Sequence, residues 1–188
     1  MSGWLKKRRV MRRYDLTANM YDMRYAEEQE AKIEAAMKNV KAESLGVVLD
    51  VGCGTGVLFA HVAEKSDAVV GVDISKKTLV QAEELVHRRN LANVHLIQAD
   101  ADNMPFSNSV SNHVFAMTVL QNTPDASETL REIRRVGKDD SVLVITGLKK
   151  IFTKRRFERI LTRAKLKVET MEDSDLKCYV AVCKNSSC

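Results

Sequence analysis

Apolar positions along this chain cluster into short runs, and a stretch with helical spacing follows most of them. The runs at 47–51, 69–73, 94–98, 113–119 and 141–146 are blocks of mainly Val, Leu and Ile. Blocks of that length read as strands buried on both faces. Between them the spacing predicts helices over 55–65, 76–89, 125–136 and 154–164. Ser75 and Thr153 are candidate N-caps, and Pro124 or Asp125 opens the third of these helices. Upstream, Ile33, Met37 and Val40 form one apolar stripe, which predicts a helix from Ala26 to Glu43, punctuated by Gly46. Two closing runs, Lys167–Met171 and Lys177–Lys184, flank the polar Glu172-Asp173-Ser174-Asp175 and predict a C-terminal antiparallel β-hairpin. Alternating strands and helices predict an α/β fold, a mostly parallel sheet with helices on both faces. Residues 1–45 read as a basic arm, an aromatic-acidic cluster and a first helix, and residues 46–188 as the globular domain.

At 188 residues the chain is long enough to bury roughly 70% of its unfolded surface in one core. It holds no run of about 18 uncharged apolar residues, so no segment is expected to span a membrane. An apolar signal core is also missing near the start, and a cytoplasmic protein is expected. Cys53, Cys178, Cys183 and Cys188 form no C-x-x-C pair, and His61, His87, His95 and His113 are scattered. Free thiols in a reducing compartment and no metal site follow.

Charge changes the picture more. The net charge is +5. Residues 1–13 carry +6 without an acid and residues 149–167 carry +8, which leaves −9 on the remainder. Two basic segments beside an acidic domain suit a polyanion held near a site, or else form a solvated surface and tail.

The candidate chemistry begins at Val47–Gly56, VVLDVGCGTG. A strand ends in an acid, Asp50, and Gly52, Gly54 and Gly56 follow at every second position. Glycine admits φ > 0 and lets a ligand approach the backbone. The dinucleotide pattern G-x-G-x-x-G is not met, because Val57 stands where its last glycine belongs. Asp73 closes the second strand 23 residues after Asp50, where a carboxylate can hold a ribose diol. The third strand runs into Asp100-Ala101-Asp102-Asn103-Met104-Pro105-Phe106. These three segments together resemble the signature motifs of the class I, Rossmann-like, S-adenosylmethionine (SAM) methyltransferases, and the compact chain is similar to small archaeal-type members. The resemblance implies a doubly wound sheet and SAM as cofactor. It implies cofactor contacts from Asp50, Gly52, Cys53, Gly54 and Gly56, and from Asp73, Ile74, Asp100, Ala101 and Thr118. Asp100 would accept from the adenine amine, and Asp102 reads as a surface acid.

The acceptor is less legible. Methyl transfer from a sulfonium needs alignment more than a catalytic dyad. Relatives acting on exocyclic amines carry N-P-P-Y after the fourth strand, whereas here Thr118 takes the asparagine's place and N-T-P-D comes later. Thr118, Gln121 and Asn122 are the catalytic-side candidates, with helix capping as the other role for the amides. Tyr14, Tyr21 and Tyr25 are candidates for a lid over the cofactor or for ordinary packing. The expected activity is methylation of RNA (tRNA or rRNA) held by segments 1–13 and 149–167. The alternatives are a small-molecule or protein methyltransferase, and a non-catalytic SAM-binding subunit. The resemblance also implies a small zinc-binding activator subunit on the sheet edge at Val94–Ile97. Neither a membrane nor DNA is expected as a partner.

Overall fold

The structure, a computed structural model, describes residues 3–173 and 175–186, with residues 17–26 described by their backbone alone. The side chains of Tyr21 and Tyr25, and Cys188, lie outside the described residues. Seven strands form one sheet: β1 (Gly46–Val51), β2 (Ser66–Asp73), β3 (Val94–Gln98), β4 (Ser111–Ala116), β5 (Gly137–Leu148), β6 (Leu166–Glu172) and β7 (Cys178–Asn185). Their spatial order is β3-β2-β1-β4-β5-β7-β6. Strands β1 to β5 are parallel, and the hairpin β6–β7 joins antiparallel to β5 through β7. This is the doubly wound sheet that the alternation of elements predicts. The chain steps outward from β1 to β3, then returns to β4 on the other side of β1. A crevice opens at that switch, at the carboxyl ends of the strands.

The helices are α1 (Gly3–Asn39), α2 (Phe59–Val62) with a 3₁₀ turn at Ala63–Lys65, α3 (Lys76–Arg88), α4 (Ala126–Val136) and α5 (Lys154–Arg163). Successive residues of each strand face opposite layers. Val48 and Phe115 pack with Ile33 of α1, Phe59 of α2 and Leu79 of α3. Leu49 and Val114 pack with Leu130 of α4 and Phe157 of α5. Three caps lie where the sequence places them. Ser75, Asp125 and Thr153 accept from the backbone N–H groups of Thr78, Ser127 and Arg156.

Three expectations are corrected. The helix expected over 55–65 is only α2 and the 3₁₀ turn, because the glycines keep the chain in a turn as far as Val57. The strand expected over 113–119 stops at Ala116, since Thr118 turns into the left-handed region at φ 65°. The largest change is at the N-terminus, where arm, cluster and helix are one 37-residue helix, α1, ending at Asn39 rather than Glu43. No glycine or proline stands between Trp4 and Leu45, and the Leu, Lys, Arg, Met, Ala and Glu that dominate this stretch are strong helix formers. Lys7, Val10, Met11, Tyr14 and Asp15 are half-buried at helical spacing. The basic arm is therefore a helix with an inner face, laid across the carboxyl ends of the sheet.

Candidate active site

The turn after β1 passes through three left-handed glycines, Gly52, Gly54 and Gly56. Asp73 fastens it from the tip of β2. One carboxylate oxygen of Asp73 accepts the Gly54 N–H at 3.0 Å and the other accepts the Ser75 N–H at 2.8 Å. The three glycines have different jobs. A Cβ on Gly52 would strike Val119 at 2.6 Å, and one on Gly56 would strike the Phe59 ring at 2.5 Å. A Cβ on Gly54 would meet nothing within 4 Å and would project into open space. Gly54 therefore keeps a cradle clear, whereas Gly56 does not line the cavity and makes room for the Phe59 ring.

Beneath this turn lies Asp50, only 3% exposed. Burial, and then the charge of Asp73, push its carboxyl up to about 8. Burial also raises Asp73, against the hydrogen bonds from Ser75 and Gly54. The Cys53 thiol is pushed well above its ordinary value by burial and then by the two acids, so it is no nucleophile. Asp50, Gly52, Cys53, Asp73 and Ile74 all line one cavity of about 150 Å³.

At the β3 end Ala99, Asp100 and Ala101 continue that lining. One oxygen of Asp100 accepts the Asp102 N–H at 3.0 Å. The other lies 2.6 Å from the ammonium of Lys7, which is also 2.6 Å from Asp102. Burial opposes the charge on Lys7, but its hydrogen bonds to the two carboxylates outweigh that and raise its pKa. Asp102 also accepts from Thr129 of α4 at 2.5 Å, so it anchors the rim and is not simply a solvated acid.

The opposite wall combines the end of β4 with α1. Met117, Thr118 and Val119 face Gln29 and Ile33 across the cavity. Thr118 is a β-branched residue at positive φ, a conformation costing roughly 1–3 kcal/mol that persists only where neighbours hold it. Its N–H donates to Thr146 Oγ1 at 2.7 Å, and its carbonyl accepts from Asn122 at 2.8 Å. Its hydroxyl is 3.5 Å from Lys32 Nζ. Lys32 is 3% exposed, which a lysine tolerates only when paired. Glu28 supplies the pairing at 2.8 Å and is bridged in turn to Lys177 at 2.8 Å. Burial would raise the Glu28 carboxyl, but these two lysines hold it below its usual range. Asn122 lines the cavity, accepts from Arg13 at 2.7 Å and donates to the Tyr14 hydroxyl at 3.0 Å. It does not cap α4, since Asp125 does. Gln121 does not line the cavity. Its amide oxygen is buried without a partner among the described residues.

The structure thus gathers nearly all the candidates around one cavity, with Gly56 and Gln121 outside it. Sequence reasoning missed Lys7, Gln29, Lys32 and Ile33. Lys7 and Tyr14 are two helical turns apart, and Gln29 and Ile33 one, so one face of a continuous α1 would have revealed them.

A family model described as "Methyltransferase domain" matches residues 42–185. The chain belongs to that family. Its cofactor is S-adenosylmethionine. A demethylmenaquinone methyltransferase from Geobacillus sp. is 36% identical over 114 residues, which are 59% of this chain and 49% of that protein. The chain spans about half the length of the curated relatives it matches first. Solved structures share the fold. A SAM-dependent methyltransferase from Aquifex aeolicus superposes with a TM-score of 0.73 at 19% identity, covering 81% of this chain and 88% of that one. The complex of the Haloferax volcanii Trm112 methyltransferase activator with a methyltransferase gives a TM-score of 0.77 at 14% identity, covering 93% and 98%.

The residues present suit the cofactor. The cleared space over Gly54 admits a ligand against bare backbone, and the Asp73 carboxylate retains lone pairs for a ribose diol. Bound there, S-adenosylmethionine supplies a sulfonium methyl group for in-line displacement. The residues lining the cavity would hold and orient it beneath α1.

Proposed function

We propose that this chain transfers the methyl group to a small acceptor with an apolar body, admitted between α1 and the end of β4. The observation that carries this reading is the wall facing Thr118. It is built from Ile33, with Gln29 as a polar group, on the helix that roofs the cavity, and the apolar Met117 lies beside Thr118. A wall of that make-up suits an apolar molecule oriented by a few polar contacts. The activity of the Geobacillus relative, a demethylmenaquinone methyltransferase, points the same way. Alignment of acceptor and methyl within the closed crevice supplies much of the acceleration, and no dyad is required. The strained Thr118 and the Lys32 behind it are the groups that orient an acceptor oxygen.

RNA as acceptor is the second reading, and one observation favours it. Arg155, Arg156 and Arg159 are exposed along α5, which begins beside the carboxyl ends of the strands. Against it, half the cations of segment 1–13 are engaged internally: Lys6 with the Thr123 carbonyl, Lys7 with Asp100 and Asp102, and Arg13 with Asn122. The deciding experiment is transfer of labelled methyl from SAM into fractionated cell extract, with Gly54→Val as control. Label in the solvent-extractable fraction is expected. Label confined to a nuclease-sensitive fraction would replace this reading with the RNA one. Cofactor binding without label in any fraction would leave a non-catalytic SAM-binding subunit.

The outer edge of β3 offers a place for a partner. Among the described residues β3 pairs with β2 alone, and such a row of backbone groups invites a further strand. The Haloferax volcanii complex contains a methyltransferase activator, and we extend that arrangement to this chain as a proposal. Co-expression with an activator subunit should then raise the yield of folded protein. A fully soluble, active chain expressed alone would count against it.

A further inference from the structure

We propose that the face of the molecule bearing the cavity mouth docks on an anionic lipid surface. Five large apolar side chains stand exposed among the described residues: Trp4 at 58%, Leu5 at 47%, Leu16 at 83%, Val80 at 45% and Ile151 at 48%. They come from three separate parts of the chain, yet all lie at one end of the sheet. Trp4, Leu5 and Leu16 are on the stretch of α1 fastened to Asp100, Asn122 and Ser75, which follow the carboxyl ends of β3, β4 and β2. Val80 is in the second turn of α3, which starts three residues after β2 ends. Ile151 is in the turn leaving β5.

Exposed cations accompany each of them. Arg8, Arg9 and Arg12 are exposed on α1, Lys76 at the start of α3, and Lys150 and Arg155 beside Ile151. None of these six makes an ion pair among the described residues. Four acids at this end are already held, Asp100 and Asp102 by Lys7, Asp173 by Lys154, and Asp15 by the Ser75 hydroxyl, which leaves Asp125 and Asp175 exposed against the six cations. The rim therefore combines positive charge with apolar side chains around the cavity.

That combination fits a membrane interface, where apolar side chains enter the headgroup boundary and Lys and Arg meet anionic lipid. It fits RNA less well. Single-stranded nucleic acid is held by aromatic platforms between cations, and four of these five side chains are aliphatic. No helix is long and apolar enough to cross a membrane among the described residues, so the contact is with its surface. This proposal departs from the expectation of no membrane partner, which rested on the lack of a spanning segment. Docking in this sense turns the cavity toward lipid, where an apolar acceptor dissolves. The docking surface itself does not depend on the acceptor reading, since it is inferred from exposed side chains alone.

The chain's one tryptophan, Trp4, reports the contact directly. The protein is titrated with vesicles of phosphatidylcholine alone and of phosphatidylcholine mixed with phosphatidylglycerol. With the mixed vesicles Trp4 emission should shift to the blue and lose quenching by acrylamide, and added salt should weaken the effect. Pure phosphatidylcholine should give little change. Arg9→Ser should weaken partitioning roughly fivefold. Leu5→Ser with Leu16→Ser should remove the shift while SAM affinity stays unchanged, which separates lost docking from lost folding. No shift with mixed vesicles would overturn the proposal. So would binding that survives Leu5→Ser/Leu16→Ser and is displaced by polyuridylate, which would assign the face to RNA. Vesicle binding together with label found only in nuclease-sensitive material would keep the docking surface and reject the small apolar acceptor.

Discussion

The two walls of the cavity are built in different ways. The cofactor wall is local: Gly54 and Asp73, which clasp each other, are 19 residues apart, and the turn, strand tip and helix cap all belong to successive βα units. The acceptor wall is assembled from afar. Lys32 reaches Thr118 across 86 residues and Tyr14 reaches Asn122 across 108. A ligand shared by a whole family can be held by a motif that folds wherever β1 and β2 pair. An acceptor particular to one protein is held by contacts that exist only once α1 has docked. The cofactor wall should therefore tolerate changes in α1, and the acceptor wall should not.

The sharpest way to break the comparison is at the glycines. Gly54→Val should reduce SAM affinity more than a hundredfold, read by calorimetric titration, while costing about 1–3 kcal/mol of stability through its positive φ and nothing through a clash, since its side chain enters open space. Gly56→Val should do the reverse in kind and destabilise the fold by several kcal/mol through its clash with Phe59. If Gly56→Val folded normally and only lost cofactor, the division of labour among the glycines would be wrong. Next in size, Asp73→Ala should cost about 1.5–3 kcal/mol of SAM binding, about ten- to a hundredfold, on the same titration. An unchanged affinity would remove the ribose assignment.

Lys7→Met tests whether α1 merely covers the cofactor wall. The Lys7 ammonium holds the carboxylate oxygen of Asp100 that does not accept from Asp102, and so competes with any other donor there. Its removal should tighten SAM binding by about two- to fivefold and open the first half of α1 to protease. A tenfold loss of affinity would make Lys7 a cofactor contact instead.

A different kind of effect, on stability rather than binding, concerns Asp50. Its folded-state pKa, about 8, lies above the ordinary carboxylate value, so the cofactor-free fold binds a proton that the unfolded chain releases near pH 4. This contribution is complete below the unfolded value and declines as pH rises toward about 8. Thermal unfolding of the cofactor-free protein should show that decline, and Asp50→Asn should flatten it. Identical pH profiles for the two proteins would contradict a buried, protonated Asp50.

Much of this was legible in the sequence. The alternating sheet, the closing hairpin and the caps at Ser75 and Thr153 follow from periodicity and from residues that act within a few positions of themselves. Asp50, Gly54, Asp73 and Asp100 were legible for the same reason, because each stands at the end of a strand or within a few residues beyond it. The role of Gly56 was not, since only packing reveals the Phe59 ring it makes room for. Lys32 reads as an outer position of a charged helix until the end of β4 is brought against it. Residues 1–13 read as an arm because their cations suggest solvent, whereas Lys7 is drawn inward by two acids some 93 and 95 positions away.

The most direct test of the two-wall account is the SAM affinity of the Lys32→Met protein, set beside its rate of methyl transfer to whichever extract fraction accepts label. The account predicts affinity within about twofold of the unaltered chain and transfer reduced about tenfold or more, because Lys32 serves only the acceptor wall. Equal losses in binding and transfer would contradict it and make the cavity a single cooperative site.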